Sequence, residues 1–145
     1  MIISFIVPGE PIAKARARVF YNKNAGRVMA YTPTKTANFE NWIKQIAIDY
    51  KPQCGLLCTP LKLRVIVYRS MPKSFSLKKI QAAEKGMILP TTKPDLDNYI
   101  KSIKDALRKL IYQDDSQIVE LTARKEYALE PRTEIEIEEI LNECF

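Results

Sequence analysis

The sequence predicts one α+β domain, residues 1–145, built on a mixed β-sheet with helices packed on one face. Segments with alternating apolar residues, typical of strands, lie near both ends of the chain, and segments with a helical period lie between them. A chain of 145 residues suits a single core, since at this size about two-thirds of the unfolded surface becomes buried. The expected order of elements is β-β-α-β-α-α-β-β.

The first half of the chain predicts strands around one long helix. Residues 2–7 form a strand that Pro8-Gly9 ends, and residues 27–31 form a second, short strand. A helix starts at Thr32-Pro33 and runs to about Tyr50 with one apolar face. Residues 61–69 are apolar on both sides of the strand, which places this strand at the centre of the sheet.

The second half predicts two helices and two strands. A short helix spans residues 76–86, and strands follow within residues 118–127 and 133–140. Pro94 disfavours helical geometry before it, so Asp95 is the expected N-cap of the longer helix. The apolar stripe of that helix has steps of four, three, four and three residues, at Leu96, Ile100, Ile103, Leu107 and Leu110.

The composition excludes several classes of protein. Apolar residues make up 46% of the chain without an uninterrupted stretch long enough to span a membrane, and the N-terminus does not read as a secretion signal. We therefore expect a cytoplasmic protein, in which Cys54, Cys58 and Cys144 are free thiols. There is no histidine, which excludes Ser-His-Asp, Cys-His and H-E-x-x-H chemistry. Hydrolysis would have to use carboxylates, lysine and a metal ion.

Charge is distributed unevenly along the chain. Residues 1–125 hold 22 Lys and Arg against 10 Asp and Glu, a net of +12, whereas residues 126–145 hold one Arg against seven Glu, a net of −6. A basic body attracts polyanions by counterion release. A substrate that carries phosphates is therefore a natural partner.

Carboxylates gather at both ends of the longer helix. Asp97, Lys101 and Asp105 step by four residues and form a polar row apart from the apolar stripe. Asp95 lies beside Asp97, and the pair Asp114-Asp115 follows the helix. Crowded like charges usually persist because a cation or a proton bridges them. The pattern favours a site for a hard metal ion.

An alternative role for the acids and the choice of metal ion also have to be considered. Asp at a helix start and Asp-Asp before a strand are also ordinary capping and turn chemistry. The calcium-loop pattern fails, because Tyr99 and Ile100 occupy the third ligand and glycine positions. Mg²⁺ in a catalytic role, with Mn²⁺ as a substitute, fits the acids better than Ca²⁺.

These residues also carry a family resemblance. KPDLDNYIKSIKDAL followed by DDSQIVEL resembles the RusA family of Holliday junction resolvases, in which a D-x-D-N-x-x-K helix start and a downstream D-D-x-Q form the magnesium site. The match is strong over residues 93–127 and looser over the basic N-terminal segment. One departure concerns the turn after D-A-L, where family members often have Asn-Gly and this chain has Arg108-Lys109.

The resemblance implies roles for the acids and one lysine. Asp95, Asp97 and Asp115 would be the essential metal-binding acids, Asp114 an accessory acid, and Lys101 the essential base. It further implies a homodimer that acts on four-way branched DNA. We also expect no membrane association and no small-molecule cofactor. Members of the family often occur on prophages.

A basic segment near the N-terminus is the expected DNA contact. If this segment is extended, Lys14, Arg16 and Arg18 project from one side of it, and Arg27 adds a further cation. A solvated edge strand protected by charge is the alternative. The family often shows K-x-R-P-R here, so the resemblance implies DNA contact at these residues. Lys93, which precedes the first acids, is a further expected DNA contact.

The combined expectation is a Mg²⁺-dependent, structure-specific endodeoxyribonuclease that resolves Holliday junctions by paired symmetric incisions in DNA recombination and repair. Two alternatives remain. One is a metal-dependent nuclease that prefers flaps or other branched DNA. The other is a non-catalytic basic DNA-binding module whose acids only cap the helix.

Overall fold

A computed structural model describes residues 1–141, so the predicted free thiol of Cys144 lies outside the described part of the chain. The elements are β1 (Ile2–Pro8), β2 (Arg18–Asn22), β3 (Arg27–Tyr31), α1 (Thr34–Ala47), β4 (Leu61–Arg69), α2 (Leu77–Glu84), α3 (Leu96–Leu107), β5 (Ile118–Tyr127) and β6 (Arg132–Glu139). Short 3₁₀ turns follow α1 at Ile48–Tyr50 and precede β5 at Asp115–Gln117. The predicted α+β class is confirmed, but the predicted order lacked one strand, because the segment before β3 forms β2 and pairs with it as a hairpin.

Four strands form a mixed sheet in the order β1-β6-β4-β5. β4 runs parallel to β5, and β6 runs antiparallel to both β1 and β4. The central position predicted for β4 is confirmed. β5 and β6 are consecutive in the chain but do not pair, because β4 lies between them. β5 is therefore an edge strand with a free backbone side within residues 1–141.

One face of the sheet carries the core. Alternate residues of β1, β4 and β6 are buried on this face, and α1 and α3 pack against it. α2 takes a different position from the predicted one. Its C-terminal end lies at the far end of β5, where Glu84 and Gly86 share a small pocket with Tyr68 and Glu126. None of the helices within residues 1–141 is long and apolar enough to cross a membrane.

α3 ends one turn earlier than its apolar stripe predicts. Arg108 is extended and Lys109 is left-handed, with φ +65°, so the helix stops at Leu107. The chain then turns back, and the fully buried Tyr112 donates its hydroxyl to the carbonyl of Lys104 at 3.0 Å. This bond satisfies one of the carbonyls that a helix end leaves without an intrahelical partner.

Replacing Lys109 with glycine should stabilise the protein. A left-handed residue other than glycine costs about 1–2 kcal/mol, and part of the relief is lost because glycine has more freedom when unfolded. We expect Lys109→Gly to raise the free energy of unfolding by about 0.5–1 kcal/mol, measured by urea denaturation. Lys44→Gly, at a helical position in α1, is the matched control and should lower it by about 1 kcal/mol. A loss of stability in Lys109→Gly would contradict this account of the turn.

Candidate active site

The first acidic pair sits at the start of α3 with its carboxylates uncommitted. Asp95 is the N-cap, as predicted, but its side chain makes no capping hydrogen bond, and its backbone carbonyl accepts from the Asn98 amide at 3.2 Å. Asp97 lies in the first turn, and both side chains are exposed. Capping therefore does not account for the Asp95 carboxylate.

Strands β4 and β5 hold the loop that delivers Asp95. Lys125 donates its ammonium to the carbonyls of Thr92 at 3.2 Å and Pro94 at 3.1 Å. Arg69 donates to the same Thr92 carbonyl at 3.1 Å. Sequence reasoning missed both residues, because cations in strands look like ordinary surface charges until the loop partner is known.

The Asp105 carboxylate connects the polar row of α3 to the N-terminal segment. It accepts from Lys101 at 3.1 Å and from Lys14 at 3.2 Å. Lys14 also pairs with Glu40 of α1 at 2.6 Å, and its amide donates to the Asn98 carbonyl at 2.8 Å. Burial lowers the pKa of Lys14, but the hydrogen bonds to Glu40 and Asp105 outweigh burial and leave the pKa above its ordinary value. Lys14 thus ties the segment before β2 to α1 and α3.

The predicted row of cations is divided in two. β2 begins only at Arg18, so the segment before it does not alternate as an extended strand, and Lys14 faces carboxylates. Arg16 and Arg18 instead line a groove of about 520 Å³ beside the N-terminus of α1. Arg27 and Lys93 are exposed.

In the second acidic pair, Asp114 has a structural role. Its side chain accepts from the Ser116 amide at 3.0 Å and from the Ser116 hydroxyl. The hydroxyl and the amide of Ser116 hold the pKa of the Asp114 carboxyl below its usual range. Gln117 completes the capping box, accepting from the Asp114 amide at 2.7 Å and donating to the carbonyls of Leu57 and Thr59 at 2.9 and 3.1 Å. The D-D-x-Q motif therefore fixes this turn against the preceding loop.

Asp115 is chemically different from its neighbour. It is half-buried, and its Oδ1 atom is buried without a hydrogen-bond partner among residues 1–141. It lies close to Tyr112, whose pKa is raised by burial and further by the nearby Asp115 carboxylate. A buried carboxylate oxygen without a partner is costly, and a hard cation would satisfy it. One oxygen of Asp115 is therefore available as a ligand for a divalent metal ion.

The two acidic pairs lie at opposite ends of α3. Asp115 lies close to Tyr112, and the Tyr112 hydroxyl donates a hydrogen bond to the carbonyl of Lys104 in the last turn of α3. Asp97 is in the first turn, and Asp105 lies eight positions further along the helix, a rise of about 12 Å. Within residues 1–141 of one protomer, no three Asp, Glu or Cys side chains come close enough to hold a metal ion. One protomer does not bring Asp95, Asp97 and Asp115 together.

A basic α+β domain with free carboxylates and a lysine on one helix, in a chain without histidine, has the features of a metal-dependent phosphodiesterase. Residues 8–138 match the family model described as Endodeoxyribonuclease RusA. The chain therefore belongs to the RusA family of endodeoxyribonucleases, and the resemblance seen in the sequence is confirmed. It is a phosphodiester hydrolase, and nucleases of this family are generally dependent on a divalent metal.

Two relatives cover most of this chain. The protein YqaN of Bacillus subtilis (strain 168) is 45% identical over 140 residues, which are 95% of this chain and 96% of YqaN. The crossover junction endodeoxyribonuclease rusA of Lactococcus phage r1t is 34% identical over 120 residues, which are 81% of this chain and 83% of the phage protein. Both matches extend well beyond the acidic motifs.

Truncation of Asp114 and of Asp115 should have different effects on thermal stability. Asp114→Ala removes a cap, so we expect the melting temperature, measured in EDTA, to fall by about 2–4 °C. Asp115→Ala removes a buried oxygen that has no partner, so the melting temperature should stay unchanged or rise. Equal destabilisation by both substitutions would contradict the division of roles between Asp114 and Asp115.

Proposed function

We propose that this protein is a Mg²⁺-dependent endodeoxyribonuclease that resolves Holliday junctions as a homodimer by paired symmetric incisions. The observation that supports this most directly is the unpartnered buried oxygen of Asp115, together with the uncommitted carboxylates of Asp95 and Asp97, in a domain of the RusA family. The name of the Lactococcus phage relative, a crossover junction endodeoxyribonuclease, supports four-way branched DNA as the substrate.

Asp95, Asp97 and Asp115 would hold the metal, with Asp114 as an accessory acid. Mg²⁺ prefers hard oxygen ligands and keeps several waters, and Mn²⁺ can take its place. When bound, such an ion polarises the scissile phosphate and lowers the pKa of a coordinated water.

Lys101 places a positive charge on the same helix face as Asp97. More than half of its side chain is exposed, and Asp105 holds its ammonium at 3.1 Å. It can therefore reach a phosphate while its position is restrained, and it would stabilise the charge that develops on that phosphate. Asp105 acts through Lys101 and Lys14 and is a positioning residue.

A second protomer would complete the metal site. β5 is an edge strand, and Val119 and Leu121 on its helix side are 65% and 49% exposed. A groove of about 690 Å³ between α3 and β5 contains Leu121 together with Asp97 and Lys101. An apolar, unpaired edge of this kind is a template for pairing with another chain.

Two-fold pairing along β5 would also bring together acids that are far apart within one protomer. β5 starts beside Asp115 and ends beside the loop of Asp95, which Lys125 holds. In an antiparallel β5–β5 pair, the start of one strand lies beside the end of the other. Asp115 of each protomer would then approach the first turn of α3 in its partner. Such a dimer has two equivalent sites, as paired incisions across a two-fold junction require.

The basic surface would supply affinity for DNA. Arg16, Arg18, Arg27 and Lys93 are exposed, so they can contact phosphates directly. Lys14 is already paired with two carboxylates, and its contribution would be to hold the segment that carries Arg16. Binding should weaken steeply as salt concentration rises.

The metal role of the first acids is tested with Asp97→Asn. We expect junction cleavage in Mg²⁺ to fall at least about 100-fold, while junction binding in EDTA is retained or tightened because a negative charge is removed. Asp49→Asn, an exposed aspartate of the 3₁₀ turn after α1, is the control and should cleave normally. Full cleavage by Asp97→Asn would remove its metal role. If the wild type cut flap DNA in preference to four-way DNA, the proposed substrate would be a flap and not a Holliday junction.

A mixed dimer tests whether the site crosses the interface. Asp97→Asn and Asp115→Asn protomers, carrying different tags, are co-expressed and the mixed dimer is isolated. If each site takes Asp97 from one protomer and Asp115 from the other, the mixed dimer keeps one intact site and nicks four-way junctions, whereas each parent dimer is inactive. A mixed dimer as inactive as its parents would place all the ligands within one protomer and contradict the shared site.

A further inference from the structure

The hairpin of β2 and β3 stands apart from the four-stranded sheet. Its two strands pair only with each other within residues 1–141, and all of their residues except Asn22 and Met29 are exposed. Isolated two-stranded ribbons are marginally stable. A cluster of large apolar side chains exposed to water usually marks a binding surface. The exposed side chains of the hairpin therefore require an explanation beyond folding.

The two faces of the hairpin differ. The register Arg18↔Tyr31 and Phe20↔Met29 places Arg18, Phe20, Arg27 and Tyr31 on one face. The rings of Phe20 and Tyr31 meet edge to face with centroids 5.8 Å apart, yet remain 44% and 48% exposed. We call this the aromatic face. Tyr21, 62% exposed, points from the opposite face.

The aromatic face continues into the groove of about 520 Å³ at the foot of the hairpin. Tyr31, Arg16 and Arg18 line this groove together with Thr34 and Lys35 at the start of α1. The first turn of α1 contains no acidic residue. A planar ligand on the rings would thus have the cations Arg16, Arg18 and Lys35 near its attached phosphates.

The charge around the aromatic face indicates which class of ligand it binds. Residues 11–39 contain six Lys and Arg and no Asp or Glu. Of these six cations, only Lys14 forms an ion pair in the part of the chain that the structure describes. An acidic peptide would satisfy the cations but not the rings. Single-stranded nucleic acid satisfies both, because aromatic side chains stack on bases while cations follow the backbone.

We infer that the aromatic face binds unpaired DNA bases, with Phe20 and Tyr31 stacking on bases and Arg16 and Arg18 holding the adjacent phosphates. In a duplex the faces of the bases are covered by their neighbours, so this site favours a branch point, where bases can leave the stack. This inference rests on the proposed function for its biological setting and names the part of the branched substrate that this surface recognises.

The segment that leads into the hairpin is bonded to α3, the helix that carries Asp97. The Lys14 amide bonds to the Asn98 carbonyl in the first turn of α3, and the Lys14 ammonium bonds to Asp105. Only three residues separate Lys14 from the start of β2 at Arg18. A base held by the hairpin would therefore lie at a restricted position relative to Asp97, which would set where the backbone is cut.

The test uses a fluorescein-labelled dT12 oligonucleotide and fluorescence anisotropy in EDTA. We expect Phe20→Ala and Tyr31→Ala each to weaken binding about 10-fold, the usual effect of losing one stacked base, with an unchanged salt dependence. Tyr21→Ala, the matched control on the opposite face, should change the affinity less than 2-fold, and Phe20→Tyr should restore wild-type affinity. Arg18→Gln should weaken binding and reduce the slope of log K against log salt by about 0.7.

A second readout locates the effect at the branch. With 2-aminopurine at the exchange point of a four-way junction, wild type should raise the fluorescence through unstacking, and Phe20→Ala should lose most of this rise at saturating protein. Thermal unfolding of every variant shows whether the domain is intact.

Several results would overturn the inference. Equal dT12 affinities for Phe20→Ala, Tyr31→Ala, Tyr21→Ala and wild type would remove the stacking role, even if wild type cleaves junctions and the proposed function stands. Retained dT12 affinity with loss of self-association in Phe20→Ala would assign the hairpin to a protein interface instead. Conversely, a wild type that fails to cleave branched DNA but binds dT12 through Phe20 and Tyr31 would support this inference and overturn the proposed function.

Discussion

The burial of the apolar stripe of α3 fixes the position of the candidate catalytic groups. Ile100, Ile103 and Leu107 are buried against the sheet, so the rotation of the helix about its axis is determined by hydrophobic packing. That rotation turns Asp97 and Lys101 toward the groove beside β5. A polar row on a helix that could rotate would not hold its charges in a defined place.

Polar contacts then set the ends of the helix. Lys125 fastens the loop before α3, and Gln117 fastens the turn that carries Asp115. Both use side chains to satisfy backbone carbonyls, which is the usual way to order irregular segments that lack strand or helix partners. As a result, the free carboxylates of the site lie on supported backbone. Within the D-D-x-Q motif, Asp114 and Gln117 stabilise the turn, whereas Asp115 has an oxygen without a hydrogen-bond partner in the described part of the chain.

The sequence predicted local structure better than it predicted pairing. The N-cap at Asp95 and the central strand β4 follow from short-range patterns of capping and hydrophobicity, and both are present. The exposure of Val119 and Leu121 was not predictable, because their alternation matches that of a core strand and only the tertiary arrangement makes β5 an edge. Leu110 continued the helical period, but the left-handed Lys109 ended the helix before it. Lys14 could not be told from the other cations until the fold placed Glu40 and Asp105 beside it.

Separation of the acids within one protomer has a physical consequence. Carboxylates held at opposite ends of a helix repel each other weakly, whereas three carboxylates gathered without a cation would raise one another's pKa and destabilise the free protein. If the metal site forms only when two protomers pair along β5, this electrostatic cost arises only in the assembly, where the metal ion offsets it. Such a shared site would tie hydrolysis to the proposed dimer, because an isolated protomer would lack a complete set of metal ligands. A single incision in a four-way junction leaves a nicked branch, and coupling of the two sites to one assembly would reduce the chance that only one cut is made.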